Sequence, residues 1–158
     1  MRPICLLFVF LSLLTFLPAH AGHKPPQVML RIHVQTAGEG LSPMQAMPIA
    51  IPPNNEVIQI RALPEVTEKD LVDVKMDAAG TVFLFLNHVG KVNLDAVTGQ
   101  DQGRILVVVL DGIVIYAPVI DQQITNGVFA IPHPLPPQMI QLLQAVARQN
   151  VKDAPPAP

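Results

Sequence analysis

The stretch Gly103-Arg-Ile-Leu-Val-Val-Val-Leu-Asp-Gly-Ile-Val-Ile-Tyr-Ala-Pro-Val-Ile120 decides the fold of this chain. From Ile105 to Leu110 every residue is aliphatic, and most are β-branched, which suits a pleated strand. Asp111-Gly112 interrupts the run, and Ile113 to Ile115 resumes it. Aspartate tolerates and glycine readily adopts the positive dihedrals that a two-residue turn between twisted strands requires, so this stretch reads as a β-hairpin.

Working downstream, Asn126-Gly127 repeats the device and is expected to fold Val119–Ile124 onto Val128–Ile131. From Pro137 to Asn150 the period changes: Ile140, Leu143, Val146 and Ala147 share one face, Leu142 broadens it, and the segment reads as an amphipathic helix with proline at its start. Val151 to Pro158, ending in Ala-Pro-Pro-Ala-Pro, reads as a disordered tail.

Upstream, Gly99 to Gly103 reads as a polar turn, and His88 to Val97 as a short helix weakened by Gly90. Val72, Val74 and Met76 alternate with Asp73, Lys75 and Asp77. Ala79-Gly80 then turns the chain into the apolar run Val82–Leu86, giving a second hairpin. Thr67-Glu68-Lys69-Asp70 has the spacing of a helix cap around a single turn. Val57, Ile58 and Ile60 suggest a strand ended by Pro64. Thr36 to Asn55, broken by Gly38, Gly40, Pro43, Pro48, Pro52 and Pro53, reads as a long loop with a short extended piece at Met47–Ile51. Leu30, Ile32 and Val34 alternate with Arg31, His33 and Gln35, the period of a half-buried strand.

The first residues have a different logic. Arg2 precedes an apolar run from Leu6 to Leu17, followed by Pro18 and Ala19-His20-Ala21, the order of a secretory signal cut before Gly22. Residues 22–27 then form a flexible lead-in to a single domain over 28–150. No later run is long enough to span a membrane, so the expectation is an exported soluble protein, periplasmic or secreted.

Composition excludes several classes of activity. The formal net charge is −2 with no cationic cluster, which speaks against nucleic acid as a partner. The one cysteine, Cys5, lies inside the signal, so the processed chain has no disulfide, thiolate nucleophile or thiolate-bound metal. Past residue 21 the aromatics are Phe83, Phe85, Tyr116 and Phe129. Ser42 lies in a Gly-Leu-Ser-Pro context rather than a nucleophile elbow. His23, His33, His88 and His133 lack metal-ligand spacing and read as surface or loop histidines. Asp73 and Asp77 fall on one solvent-facing side of a strand, which fits a charged outer surface better than an acid–base pair. Gly99-Gln-Asp-Gln-Gly103 lacks the Lys-Ser/Thr of a phosphate loop. No catalytic, cofactor-binding or metal site is expected, and the chain is not expected to be an enzyme.

The run Gly103–Ile120, followed by Ile124, Gly127 and Ile131, resembles the head subdomain of the first periplasmic domain of SecD, the accessory subunit of the bacterial protein-export translocase. In that family a glycine and a basic residue open a strand, an Asp-Gly turn follows, and an Ala-Pro-Val/Ile step leads to a second glycine turn. Gly103, Asp111, Gly112, Ala117, Pro118 and Gly127 occupy those motif positions here and are expected to be structural. Asp77-Ala-Ala-Gly80, Val97-Thr98 and the helix Pro137–Asn150 are similar to neighbouring parts of the head, so the likeness covers about residues 65–150. It departs from the family at two places. Pro132-His133 replaces a Ser-Gly pair, and Pro136 replaces a threonine whose side chain would cap the closing helix.

The resemblance implies an α+β fold, a mostly antiparallel sheet of short strands with one or two short helices and a C-terminal amphipathic helix. It further implies a non-enzymatic module that engages extended polypeptide or an inner-membrane export component. Strands rich in Val and Ile can leave an unpaired edge that accepts an extended segment through main-chain bonds. Alternatively the Pro-rich segment 36–55 covers the edges and the aliphatic content is ordinary core. A structural or assembly protein of the envelope and a small hydrolase are the other functional classes open at this point.

Overall fold

The computed structural model describes residues 28–36 and 45–154. The expected signal sequence and lead-in, Ser42, His23 and the end of the Pro-rich tail lie outside the described residues. In chain order the elements are β1 (Leu30–Val34), β2 (Ala46–Ile51), β3 (Glu56–Arg61), β4 (Val66–Thr67), a 3-10 turn at Glu68–Asp70, β5 (Leu71–Met76), β6 (Val82–Leu86), α1 (His88–Gln100), β7 (Leu106–Leu110), β8 (Ile113–Tyr116), β9 (Val128–Ile131) and α2 (Pro137–Asp153). The fold is α+β, and every strand pairing is antiparallel.

The Asp111-Gly112 hairpin forms as its residues dictate, with Leu110 opposite Ile113 and positive φ at Asp111 (48°) and Gly112 (82°). Asp111 also secures the far end of β1. Its N–H donates to the Met29 carbonyl at 2.9 Å, and its Oδ1 accepts the Met29 N–H at 2.8 Å.

The strands divide into three sheets: a four-stranded sheet in the order β4-β1-β7-β8, the two-stranded ribbon β2-β3, and a three-stranded sheet in the order β5-β6-β9. The main core lies between the two larger sheets and α2, with Leu30, Ile32, Leu84, Leu106, Phe129, Ile131 and Leu143 buried together. A smaller cluster of Ile58, Ile60 and Val107 forms where the ribbon lies on the other face of the β1-β7 pair.

That second layer explains why β1 departs from the alternating pattern. His33 belongs to the polar set by sequence, yet it is only 1% exposed, because residues 46–61 cover the face on which it stands. Its Nδ1 meets the Arg61 carbonyl at 2.8 Å. His33 is therefore a satisfied interior histidine and not a surface one.

Three other boundaries differ from the sequence reading. The helix α1, capped at its start by Asn87 (Oδ1 accepts the Gly90 N–H at 2.9 Å), continues through Gly99 and Gln100 to the Asp101 N–H bond to the Val97 carbonyl, and Gly99 leaves room for Gln123 to approach closely. Val119–Ile124 does not fold onto Val128–Ile131. The chain from Pro118 to Ile120 stays beside the start of β7, with Leu106 N–H donating to Pro118 and Ile120 N–H to Arg104, while β9 pairs with β6. The closing helix runs to Asp153, taking Val151–Asp153 out of the expected tail, and Asn150 ties its last turns to the Glu68 and Leu71 carbonyls at 2.8 and 2.9 Å. Pro136 is its N-cap and supplies no side-chain bond. Its carbonyl instead accepts the Met139 N–H at 2.9 Å.

Candidate functional site

The strands β8 and β9 are the outer strands of different sheets, and they approach each other. Both are apolar, Ile113-Val-Ile-Tyr116 and Val128-Phe-Ala-Ile131, with no charge in either. By contrast β5 carries Asp73 and Lys75, and β3 carries Glu56 and Arg61. Charged side chains, proline and short length are usual means of blocking strand addition at an edge; β2 is uncharged but carries Pro48 and β4 is two residues long, which leaves β8 and β9 without such protection. β5 is covered further by α2, whose Gln144 side chain donates to the Val74 carbonyl at 3.0 Å.

Between β8 and β9 lies an open cleft of about 490 Å³. Its walls are Tyr116, the segment Pro118–Asn126, and the β9 residues Val128, Phe129 and Ala130, with Thr98 and Leu106 behind. Tyr116 and Phe129 close its floor, ring centroids 6.2 Å apart and tilted 59°, within the range of a favourable aromatic pair. His133 stands edge-on to Tyr116 at 5.7 Å.

The wall opposite β9 is latched to α1. Thr98, fully buried, donates its hydroxyl to the Leu94 carbonyl at 2.6 Å and accepts the Ile124 N–H at 2.9 Å. Gln123 Nε2 donates to Asp95 Oδ1 at 2.6 Å. The segment is therefore held beside β7 by main-chain bonds at Pro118–Ile120 and drawn to α1 by these side-chain bonds at Gln123 and Ile124.

The ladder of β9 sets the direction of its backbone groups. Leu86 N–H donates to the Gly127 carbonyl at 3.0 Å, and the register places Phe85 opposite Val128 and Phe83 opposite Ala130. In an antiparallel pair bonded and non-bonded positions alternate, so Phe129 and Ile131 turn their N–H and C=O groups toward β6. Val128 and Ala130 turn theirs outward, where no described strand pairs with β9. The Val128 N–H is taken by Asn126 Oδ1 at 2.9 Å. This leaves the Val128 carbonyl and both backbone groups of the exposed Ala130 on the outer edge.

The motif residues fall in two groups. Pro118 lines the cleft and gives its carbonyl to Leu106, while Ala117 lines a smaller hollow of about 230 Å³ beside β8 with Ile51 and Pro52. Gly127 (φ 73°) turns the chain into β9, where a Cβ would stand 2.9 Å from Lys91 Cβ. Asp111 and Gly112 form the turn at the far end of the β7-β8 hairpin, and Gly103 (φ 81°) opens the segment before β7, its N–H donating to the Ile120 carbonyl at 2.8 Å. Tyr116, Thr98, Val128, Phe129 and Ala130 were not singled out from sequence. The signal that could have found them is the lack of charge in the two short strands.

The residues weighed for catalysis do not converge. Asp77 lies past the end of β5, and its Oδ1 accepts the Ala79 and Thr81 N–H groups at 2.9 Å each, while Asp73 pairs with Lys75 at 3.2 Å. Within Gly99–Gly103, Asp101 is 5% exposed and binds Arg61 at 2.8 Å and Arg104 at 3.2 Å. Burial works against the Arg61 charge, but its bonds to Glu65 and Asp101 outweigh this and raise its pKa. Among the described residues no group of three or more His, Cys, Asp or Glu side chains could hold a metal ion. Nor is any described helix long and apolar enough to cross a membrane.

Against known families, residues 43–149 match the SecDF P1 head subdomain. No curated protein matches. Two solved structures share the fold. One is SecDF in a super-membrane-facing form, at 24% identity and TM-score 0.55 over 77% of this chain and 18% of that one. The other is from work on SecDF as a membrane component that enhances protein export, at 24% identity and TM-score 0.55 over 78% of this chain and 63% of that one.

Proposed function

The chain belongs to the SecDF P1 head subdomain family, and from that premise we propose that it is a non-enzymatic, exported module of protein export that holds extended polypeptide at the outer edge of β9. The observation that carries this reading is the cleft between two uncharged outer strands, one of which turns Ala130 N–H, Ala130 C=O and Val128 C=O outward. An extended segment laid antiparallel against β9 satisfies these groups. Its alternate side chains then face Tyr116 and Ile120 on the cleft side and solvent on the other.

Main-chain pairing reads no sequence, which suits a partner that must accept many different chains. Each such bond contributes about 1 kcal/mol net. Three of them with a partly buried aromatic contact make binding weak and readily reversible, as passage of a moving chain requires. The leader over residues 1–21 directs the domain across the inner membrane, so the polypeptide it meets is on the periplasmic side.

The test is titration of isotopically labelled residues 22–158 with a permanently unfolded polypeptide, following backbone amide shifts. Shifts confined to β9 and residues 118–126 support the reading. No shift at near-millimolar polypeptide contradicts it.

A further inference from the structure

We propose that the β2-β3 ribbon is an acid-released flap and that His33 is the group that releases it. Among the described residues the ribbon is tied to the body mainly at its β3 end, where Arg61 also pairs with Glu65 at 2.9 Å and Asp101 at 2.8 Å. Thr36 N–H donates to the Gln59 carbonyl at 2.9 Å, Gln35 and Ile60 form a single bridge, and His33 Nδ1 meets the Arg61 carbonyl at the last residue of β3. Beneath it Ile58, Ile60 and Val107 are buried, with Met47, Ile49, Ile51, Ile105, Val109 and Val114 partly buried against them, a smaller cluster than the core that joins the two larger sheets. An element packed on this smaller cluster, apart from the main core, opens at a lower free energy than the whole domain.

His33 is the one described histidine that is fully buried, and it sits at this joint. With Nδ1–H donating to a carbonyl, the neutral ring satisfies that acceptor without bringing charge into the interior. Burial is the largest influence on the ring and lowers its pKa below the ordinary value; the nearby Arg31 charge acts in the same direction, while the Arg61 carbonyl bond and Glu65 oppose it. The charged groups around the joint are thus Arg31 on β1, Arg61 on β3 and Glu65 before β4, with Asp101 reached through Arg61.

The sign follows from linkage. The open form exposes the imidazole and binds a proton near its ordinary pKa of about 6.5, whereas the closed form binds it only at lower pH. Closure is therefore complete above about pH 6.5 and weakens as the pH falls toward the closed-form value. Opening uncovers Ile58 and Ile60 on the ribbon and Val107 on β7, an apolar face distinct from the β8-β9 cleft.

The experiment is amide hydrogen exchange on residues 22–158 between pH 7.5 and 5, corrected for intrinsic exchange rates. Opening of the β2-β3 amides is expected to rise by up to about tenfold per pH unit below 6.5, the limit for one proton, while amides of β6 and β9 do not follow. His33→Gln is expected to abolish the dependence. Arg31→Gln, a change at an exposed side chain, is expected to reduce the total acid-driven opening by raising the closed-form pKa. Parallel acceleration of all strands, or an unchanged dependence in both variants, would overturn the proposal. The Arg31 variant keeps the test decisive if His33→Gln fails to fold.

Discussion

Tyr116 on β8 and Phe129 on β9 meet with ring centroids 6.2 Å apart, joining the outermost strands of two separate sheets. The contact bridges the two strands that flank the cleft. Phe129 is 2% exposed and belongs to the main core, whereas Tyr116 is only partly buried, so the pair links the interior to the cleft surface.

Removing the inner ring exacts the larger cost. Phe129→Ala is expected to lower unfolding stability by about 3–5 kcal/mol, the range for a buried phenylalanine. A double-mutant cycle with Tyr116→Ala is expected to give a coupling of about 0.5–1.5 kcal/mol, measured by urea denaturation. A coupling near zero would mean that the rings do not support each other.

In the wall opposite β9, the Thr98 hydroxyl is the acceptor that ties Ile124 to α1. Thr98→Val keeps the shape of the side chain but leaves the Ile124 N–H without its acceptor. The expected loss is about 1–3 kcal/mol, with faster amide exchange at Ile124 than elsewhere in the domain. Unchanged protection at Ile124 would show that the latch does not hold that segment.

Two glycines separate dihedral strain from steric overlap. Gly103 and Gly127 both have positive φ, but a Cβ at Gly103 meets nothing within 4 Å, whereas at Gly127 it meets Lys91 Cβ at 2.9 Å. Gly103→Ala is expected to cost about 1–2 kcal/mol through the dihedral alone, and Gly127→Ala distinctly more. Lys91→Ala retains the offending Cβ and is not expected to rescue it. Thermal denaturation of the four proteins checks the order, and equal costs at the two glycines would contradict it.

The legible parts of the sequence were those with local causes. Asp111-Gly112 specifies its turn through the dihedrals those residues tolerate, and Thr67 with Asp70 specifies a cap, both the Thr67 N–H and hydroxyl donating to the Asp70 carboxylate at 2.8 and 3.0 Å. What was not legible depends on distant segments. His33 looks solvent-facing until the ribbon of residues 46–61 is laid over it. Asn126-Gly127 has the composition of a hairpin turn, but Thr98 and Asp95 draw the preceding segment to α1 and leave β9 to pair with β6. The cleft followed the same rule: its walls come from parts of the chain that no local pattern connects.

The central claim is that an extended chain pairs with the outer edge of β9, and Ala130→Pro tests it most directly. Ala130 directs its N–H away from β6, so proline there removes the edge donor while leaving the β6-β9 bonds in place. The measurement is titration of wild type and Ala130→Pro with the same unfolded polypeptide, with amide shifts of β5 and β6 confirming that the variant is folded. The account predicts that the folded variant loses binding by at least about fivefold, the value of one main-chain bond of about 1 kcal/mol. Equal affinity in the two proteins would contradict it.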